Sequence, residues 1–190
     1  DYVWNGKQLA DLEHFEDLPL CVRERWEEEN RVIIASYREQ NVHPDFQTII
    51  DRGLAFLKES RRVMAGTDCP YPGIVPGFSL ADELERLVNV FGLTSYKALC
   101  AATCFPAVHM GIAKQKGRIL PGMDADLAVL DENPLENVGN VRSIRRVFQG
   151  TRTWNYEQLS QLLAADRNLK KEEIEFIPCR MDETQGEEQV

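Results

Sequence analysis

A helical pattern leads almost directly into a short apolar strand between residues 45 and 66. Asp45 can cap a helix whose apolar residues recur at helical spacing as far as Lys58. The residues that follow at once, Arg62 to Gly66, form a short apolar run typical of a strand. Because such a helix-to-strand passage is half of a βαβ unit, the sequence predicts an α/β fold with a mostly parallel sheet.

Asp68 stands at the end of this predicted strand and just before a proline-rich loop. Active sites of α/β barrels lie at the C-terminal ends of the parallel strands, so Asp68 is a candidate catalytic residue. A second interpretation is that Asp68 caps the turn from Pro70 to Gly73 as an Asx motif. The local sequence by itself favours the cap, and the strand position does not decide between the two.

Further helices are predicted between residues 79 and 111. Ser79 and Asp82 offer a capping box for an amphipathic helix that Gly92 ends. Thr94 can cap a following helix rich in small residues, and Pro106 begins one more helical turn. This part of the chain is therefore expected to be mainly helical.

The pattern then changes from helical to β. The apolar run from Ala125 to Asp131 is typical of a buried strand, and residues 144 to 154 predict a hairpin that turns at Gln149-Gly150. Asn155 can open a last amphipathic helix. The acidic sequence from Glu172 onward has too few apolar residues to pack firmly.

Charge and cysteine content exclude several classes of protein. The formal net charge is -9, with 15 acidic and 3 basic residues in 11–29 and 172–190 but 13 acidic and 15 basic ones in 31–154. An acidic chain lacks the basic face that nucleic-acid binding requires, and no apolar run approaches the ~20 residues of a membrane span. Five cysteines, an odd number, favour free thiols and a cytoplasmic location. Residues 1–30 lack sustained periodicity and predict only a short solvated helix or a loop.

Other residues with reactive or metal-binding side chains are less promising than Asp68. Cys100 and Cys104 have a spacing that could hold a metal, but the small residues between them favour helix packing. Cys69 has no histidine near it in sequence to activate it, so an exposed loop thiol is expected. The three histidines, His14, His43 and His109, are too far apart for an H-x-H pair. Nucleotide-binding and serine hydrolase motifs do not occur.

Four motifs occur in a fixed order. They are A-G-T-D (65 to 68), G-F-S-L-A-D-E-L (77 to 84), F-G-L-T-S-Y-K-A-L-C-A-A-T (91 to 103) and G-R-I-L-P-G-M-D-A-D-L-A-V-L-D-E-N-P-L (117 to 135). Together they resemble the C-terminal part of metal-dependent amidohydrolases, of the imidazolonepropionase-like and prolidase-like branch, from about residue 45 to 154. The resemblance implies the last βα units of a (β/α)8 barrel in residues 1–112. It further implies a return to a small β-sandwich in 113–154, followed in 155–190 by a C-terminal helix and an acidic, flexible tail.

The same resemblance gives Asp68 a chemical role. Asp68 would approach a divalent metal, expected to be Zn²⁺, take a proton from the metal-bound water and pass it to the leaving nitrogen. The family's other ligands, an H-x-H pair, a mid-barrel lysine or carboxylate and two later histidines, have no counterpart here and are expected in a missing N-terminal barrel segment. Ala81 also stands where related sequences often carry histidine.

The expected activity is hydrolysis of a C–N bond in a small-molecule substrate, either a non-peptide amide or a dipeptide. One carboxylate cannot hold a catalytic zinc, which needs about three protein ligands, so the isolated chain is expected to be inactive. An incomplete parallel sheet would also favour self-association. The alternative is a non-catalytic binding or scaffold module that keeps the amidohydrolase tail. Neither nucleic acid nor a membrane is expected as a partner.

Overall fold

The computed structural model describes residues 8–41, 45–59, 62–69 and 71–169. Its helices are α1 (Leu20–Glu39), α2 (Phe46–Glu59), α3 (Ser79–Asn89), α4 (Ser95–Ala102), α5 (Cys104–His109) and α6 (Tyr156–Asp166). Its strands are β1 (Leu127–Leu130), β2 (Ile144–Gln149) and β3 (Arg152–Asn155). Short 3-10 helices lie at Leu9–Asp11, Phe15–Asp17 and Val138–Arg142, the last of which we call the bridging turn. None of the helices in these ranges has the length and apolar character needed to cross a bilayer.

The N-terminal part contains a long helix where the sequence predicted only a short helix or a loop. Helix α1 has 20 residues and buries a single one of them, Trp26, which is 3% exposed. Trp26 packs in an N-terminal cluster with Leu9, Phe15, Leu18 and Val75. The other faces of α1 carry ion pairs one turn apart, such as Arg25 with Glu29 at 2.6 Å. The prediction was wrong because a helix that buries one residue shows no periodic apolar pattern in its sequence.

Helix α2 forms as predicted, but its apolar face is not covered. The carboxylate of Asp45 accepts hydrogen bonds from the Thr48 amide at 3.0 Å and from the Thr48 hydroxyl at 2.6 Å. These bonds confirm the cap and lower the pKa of Asp45. No described residue of α2 is buried, and Ile49 and Phe56 are 61% and 64% exposed. The apolar side of α2 therefore lies outside the cores of the described part of the chain.

Residues 62–69, which we call the site segment, do not form the predicted strand Arg62 to Gly66. They have no regular secondary structure, and the Ala65 amide donates to the carbonyl of Ala101 in α4 at 2.9 Å. A parallel strand needs neighbouring strands on its edges, and none lies beside this segment in the described ranges. The observed sheet is antiparallel, so the expectation of a mostly parallel sheet is also wrong for these residues.

The helical core lies between α3, α4 and the bridging turn. Its buried members are Leu84, Leu87, Ala98, Ala101 and Val138. Ala98 and Ala101 are fully buried, and their small side chains let the two helices approach closely. Thr94 caps α4 as predicted, since its hydroxyl accepts the Lys97 amide at 3.3 Å.

The capping box predicted at the start of α3 is wrong. Phe78 occupies the cap position, no side chain caps the helix, and Ser79 is its first residue. The carboxylate of Asp82 instead pairs with Arg142 of the bridging turn, which also pairs with Glu85. The arginine thus ties the C-terminal region to the exposed side of α3.

The C-terminal region is a single antiparallel sheet in the order β1, β2, β3. The hairpin is confirmed, but Gln149 pairs with Arg152, so the turn residues are Gly150 and Thr151, one position later than predicted. Strand β1 is not buried as expected, because Ala128 and Val129 are exposed. A second sheet is not among the described residues, so the β-sandwich stays a prediction.

Helix α6 begins at the predicted cap and contacts the sheet. Asn155 and Gln158 exchange hydrogen bonds of 2.9 Å in a capping box. Just after α6, Arg167 pairs with the buried Asp17, which also binds His14 Nδ1 at 2.8 Å. The two ends of the described chain are therefore joined by an ion pair. The acidic tail from Glu172 lies outside the described residues, and the division into 1–112, 113–154 and 155–190 stays a prediction.

Candidate active-site segment

Asp68 lies at the exposed end of the site segment. Its backbone has a φ of 58°, a left-handed conformation that aspartate adopts more readily than most residues. Its carbonyl oxygen accepts the Tyr71 amide at 3.1 Å and so closes the following turn. The bond comes from the backbone and not from the side chain, and no other described residue hydrogen-bonds the Asp68 carboxylate. The predicted Asx cap is therefore not found within the described residues, and the catalytic interpretation stays a prediction.

Two helices fix the backbone that precedes Asp68. The Ala65 amide donates to Ala101 at the end of α4, and the Gly66 amide donates to Glu83 Oε1 of α3 at 2.7 Å. The two acceptors belong to different helices, so both α3 and α4 hold the segment. Asp68 follows two residues after the second bond.

Glu83 is a residue of this site that the sequence reasoning missed. One of its carboxylate oxygens, Oε1, holds Gly66, while the other, Oε2, is buried without a hydrogen-bond partner among the described residues. A signal was present in the sequence, because Glu83 shares a helix face with Leu80 and Leu87. A glutamate on the apolar face of a helix is rarely buried without a specific partner.

The site segment also forms part of the wall of a large cavity. The cavity has a volume of about 1090 Å³, and Gly66, Thr67 and Glu83 are among the residues that line it. Apolar residues of α1 and α2 line it too, including Ile33, Ile34, Phe46 and Ile49. The segment that leads to Asp68 thus packs against the helical core and also lines part of an open, mainly apolar space.

The described residues do not assemble a metal site. They contain no group of three or more His, Cys, Asp or Glu side chains that could hold an ion. His14 is stacked on Phe78 with ring centroids 3.6 Å apart, His109 ends α5, and His43 lies outside the described residues. Asp68 is therefore not part of such a group, and the described side chains do not fit a complete metal centre.

The cysteines agree with their predicted structural roles. Cys100 is 9% exposed, and its burial raises the pKa of its thiol. Cys104 Sγ lies 3.8 Å from the Cys100 carbonyl, but Cys100 belongs to α4 and Cys104 begins α5, so the two do not lie on one continuous helix as the spacing predicted. Cys69 is an exposed loop residue, and desolvation raises the pKa of its thiol too, so its surroundings do not favour the thiolate.

Comparison with known proteins places these observations in a family. Residues 37–166 match the family model described as "Amidohydrolase family". The chain is 30% identical over 126 residues to an imidazolonepropionase from Thermoplasma acidophilum, covering 66% of this chain and 28% of that protein.

Two solved structures share the fold. A molinate hydrolase aligns with a TM-score of 0.54 at 18% identity, over 76% of this chain and 32% of its own. A Xaa-Pro dipeptidase with bound methionine in the active site aligns with a TM-score of 0.50 at 23% identity, over 56% of this chain and 25% of its own. At these identities the likeness concerns the fold alone.

The chain spans between 19% and 28% of the length of the curated relatives it matches. The family fold is the (β/α)8 barrel, and the described residues form a partial α/β fragment with a small antiparallel sheet. The ordered motifs from A-G-T-D to the β1 strand fall inside the matched range, and that range is more than half of the sequence. The chain therefore belongs to the amidohydrolase family.

Proposed function

We propose that this chain is the C-terminal portion of an enzyme that hydrolyses a C–N bond in a small molecule. The family match over residues 37–166 and the likeness to imidazolonepropionase support this proposal. The observation that carries it furthest is the position of Asp68. Its carboxylate is exposed at the end of a segment that α3 and α4 fix, and it makes no hydrogen bond to another described residue.

The proposed role of Asp68 is proton transfer. A free carboxylate can accept a proton from water as the water oxygen bonds to the scissile carbon. The same carboxyl can then give that proton to the nitrogen as the C–N bond breaks, which leaves a neutral amine and regenerates the carboxylate. Among the described residues no loop amide donates to the Asp68 carboxylate, which leaves its oxygens open to a water molecule and supports this role.

No step is assigned to a metal, because the described residues do not fit a metal site. The family generally uses a divalent ion, and we propose that its ligands, with Zn²⁺ as the expected ion, come from the rest of the complete protein. Metal analysis tests this: the complete protein should purify with about one or two divalent ions per chain, and residues 1–190 alone with none. A stoichiometric ion on the isolated chain would contradict the proposal.

The proton-transfer role is tested with Asp68→Asn in the complete protein. We expect kcat to fall by about 100-fold or more on a panel of amides that includes imidazolonepropionate and dipeptides. Asp166→Asn, at an exposed carboxylate of α6, is the matched control and should retain wild-type turnover. Unchanged turnover in Asp68→Asn would remove this residue from the mechanism. Absence of both turnover and metal in the complete wild-type protein would favour the non-catalytic module instead.

A further inference from the structure

Glu83 links α3, a helix of the helical core, to the site segment. Its neighbours Leu84 and Leu87 are 4% and 7% exposed and belong to the helical core, so its backbone is held rigidly. From this fixed position Glu83 Oε1 accepts the Gly66 amide at 2.7 Å. A hydrogen bond to an ionised acceptor is shorter and stronger than one between neutral groups.

The contact lies close enough to Asp68 to control its position. Gly66 is two residues from Asp68, and two residues of extended chain span only about 7 Å. Gly66 is followed by Thr67 and then by the left-handed backbone of Asp68. Within the described residues, the backbone beyond Ala65 has this one side-chain anchor before the turn that the Asp68 carbonyl closes.

The second oxygen of Glu83 shows that the helix does not carry this residue for its own stability. Oε2 is buried without a hydrogen-bond partner among the described residues. A buried acceptor without a partner is unfavourable, whereas an apolar residue would suit this side of α3. Glu83 is thus unfavourable for the helix that carries it, and the hydrogen bond of its side chain reaches the segment that bears Asp68. This combination points to a role at that segment.

We propose that Glu83 is the positioning residue of Asp68, acting through the Gly66 amide. It rests on the proposed function, because Asp68 must be the reacting carboxylate for its position to affect turnover. Glu83 itself touches no reacting atom. Its carboxylate sets where the end of the site segment lies, and a shift of about 1 Å in a reacting group can lower a rate about 100-fold.

The kinetic test compares Glu83→Ala with Glu83→Gln in the complete protein. Glu83→Ala removes the acceptor, and we expect kcat to fall about 10- to 100-fold while KM stays within about twofold of wild type. Glu83→Gln keeps an amide oxygen for Gly66 and should recover most of that loss. Glu157→Ala, at an exposed glutamate of α6, is the control and should leave kcat unchanged. A Glu83→Gln variant as inactive as Glu83→Ala would overturn the positioning role, because it would make the charge itself essential.

Hydrogen exchange measures the contact without using activity. In Glu83→Ala the Gly66 amide should exchange at least about tenfold faster than in wild type, whereas the Ala65 amide keeps its partner on α4. The same change is expected when Asp68→Asn is also present. Unchanged exchange at Gly66 would overturn the proposal whatever the kinetics show.

A double-mutant cycle separates this proposal from the one it rests on. If Glu83 acts through Asp68, Glu83→Ala should cost no further kcat in the Asp68→Asn background. Additive losses would overturn the positioning role and leave Asp68 in the mechanism. Full activity of Asp68→Asn, together with faster exchange at Gly66 in Glu83→Ala, would instead overturn the function proposed for Asp68 while keeping the contact.

Discussion

Two short apolar runs that both predict strands behave differently in this molecule. The site segment and β1 were both predicted as strands, yet only β1 forms a ladder, pairing with β2 from Leu127 to Leu130. The partners of β1 lie within about thirty residues along the chain, in the hairpin that ends at Asn155. The site segment has no strand beside it in the described ranges, and helices α3 and α4 take its amides instead. A strand therefore forms where its partners belong to the same local unit.

The largest expected effect is a loss of stability when a residue of the helical core, against which the site segment packs, is truncated. Leu84→Ala should destabilise the fold by about 2–5 kcal/mol, because it removes a buried side chain and leaves a cavity. Urea-induced unfolding measures the loss, and hydrogen exchange should show faster opening at Ala65 and Gly66 than in the β2–β3 ladder. Leu162→Ala on α6, 53% exposed in wild type, is the control and should change stability little. Equal loss of protection in both regions would mean that they unfold as one unit.

The next largest loss of stability is expected at the ion pairs that link the bridging turn to α3. Arg142 pairs with Asp82 and Glu85 on α3, and its side chain is 33% exposed. Each exposed pair contributes at most about 1 kcal/mol, so Arg142→Ala should cost about 1–2 kcal/mol in urea unfolding. Arg145→Ala is a matched control, because its pair with Asp131 is 3.8 Å long and both partners are more exposed. A loss as large in Arg145→Ala would show that general surface charge, and not this link, stabilises the fold.

A substitution in the turn between β2 and β3 tests the stability of the sheet alone. Gly150 has a φ of 58°, and a Cβ there would meet no atom within 4 Å, so the cost of a side chain is one of backbone conformation. Gly150→Ala should destabilise the fold by about 1 kcal/mol in thermal unfolding, and Gly150→Asn by less, since asparagine accepts this conformation more readily. Exchange at the Gly66 amide should not change in either variant. A change there would show that the hairpin turn and the site segment open together.

The sequence predicted those contacts whose partners lie a few residues apart. The caps formed by Asp45, Thr94 and Asn155 each bind an amide three residues onward, and all three are present. Asp82 was assigned a local cap by the same logic, but its partner Arg142 lies 60 residues away along the chain. Local rules cannot find such a partner, because they contain no information on which distant residue will pack against the helix.

The candidate site shows the same limit. Asp68 was found because a carboxylate that directly follows an apolar run can be recognised from a few residues of sequence. Glu83 was missed because its partner Gly66 lies 17 residues earlier, on a segment whose path depends on the tertiary packing of α3 and α4. The glutamate on the apolar face of α3 was visible in the sequence, but its hydrogen bond to Gly66 could be recognised only from the fold.

The smallest expected effect concerns an ion pair beside the sheet. The contribution of this pair to stability depends on pH. Lys116 pairs with Asp126, whose carboxylate also accepts the Gly150 amide at 3.1 Å. The hydrogen bond with Asp126 raises the pKa of Lys116, and the bond with Lys116 lowers the pKa of Asp126.

Because the folded pKa of Asp126 lies below its unfolded value, its contribution to stability is present above about pH 4 and is lost as the pH falls through the folded pKa. Because the folded pKa of Lys116 is raised, its contribution is present below about pH 10 and is lost as the pH rises through the folded value. The difference in Tm between wild type and Asp126→Asn should therefore be constant and small across neutral pH and vanish on acidification. A difference that persists unchanged at about pH 2 would show that Asp126 acts as a hydrogen-bond acceptor for Gly150 alone, without its charge.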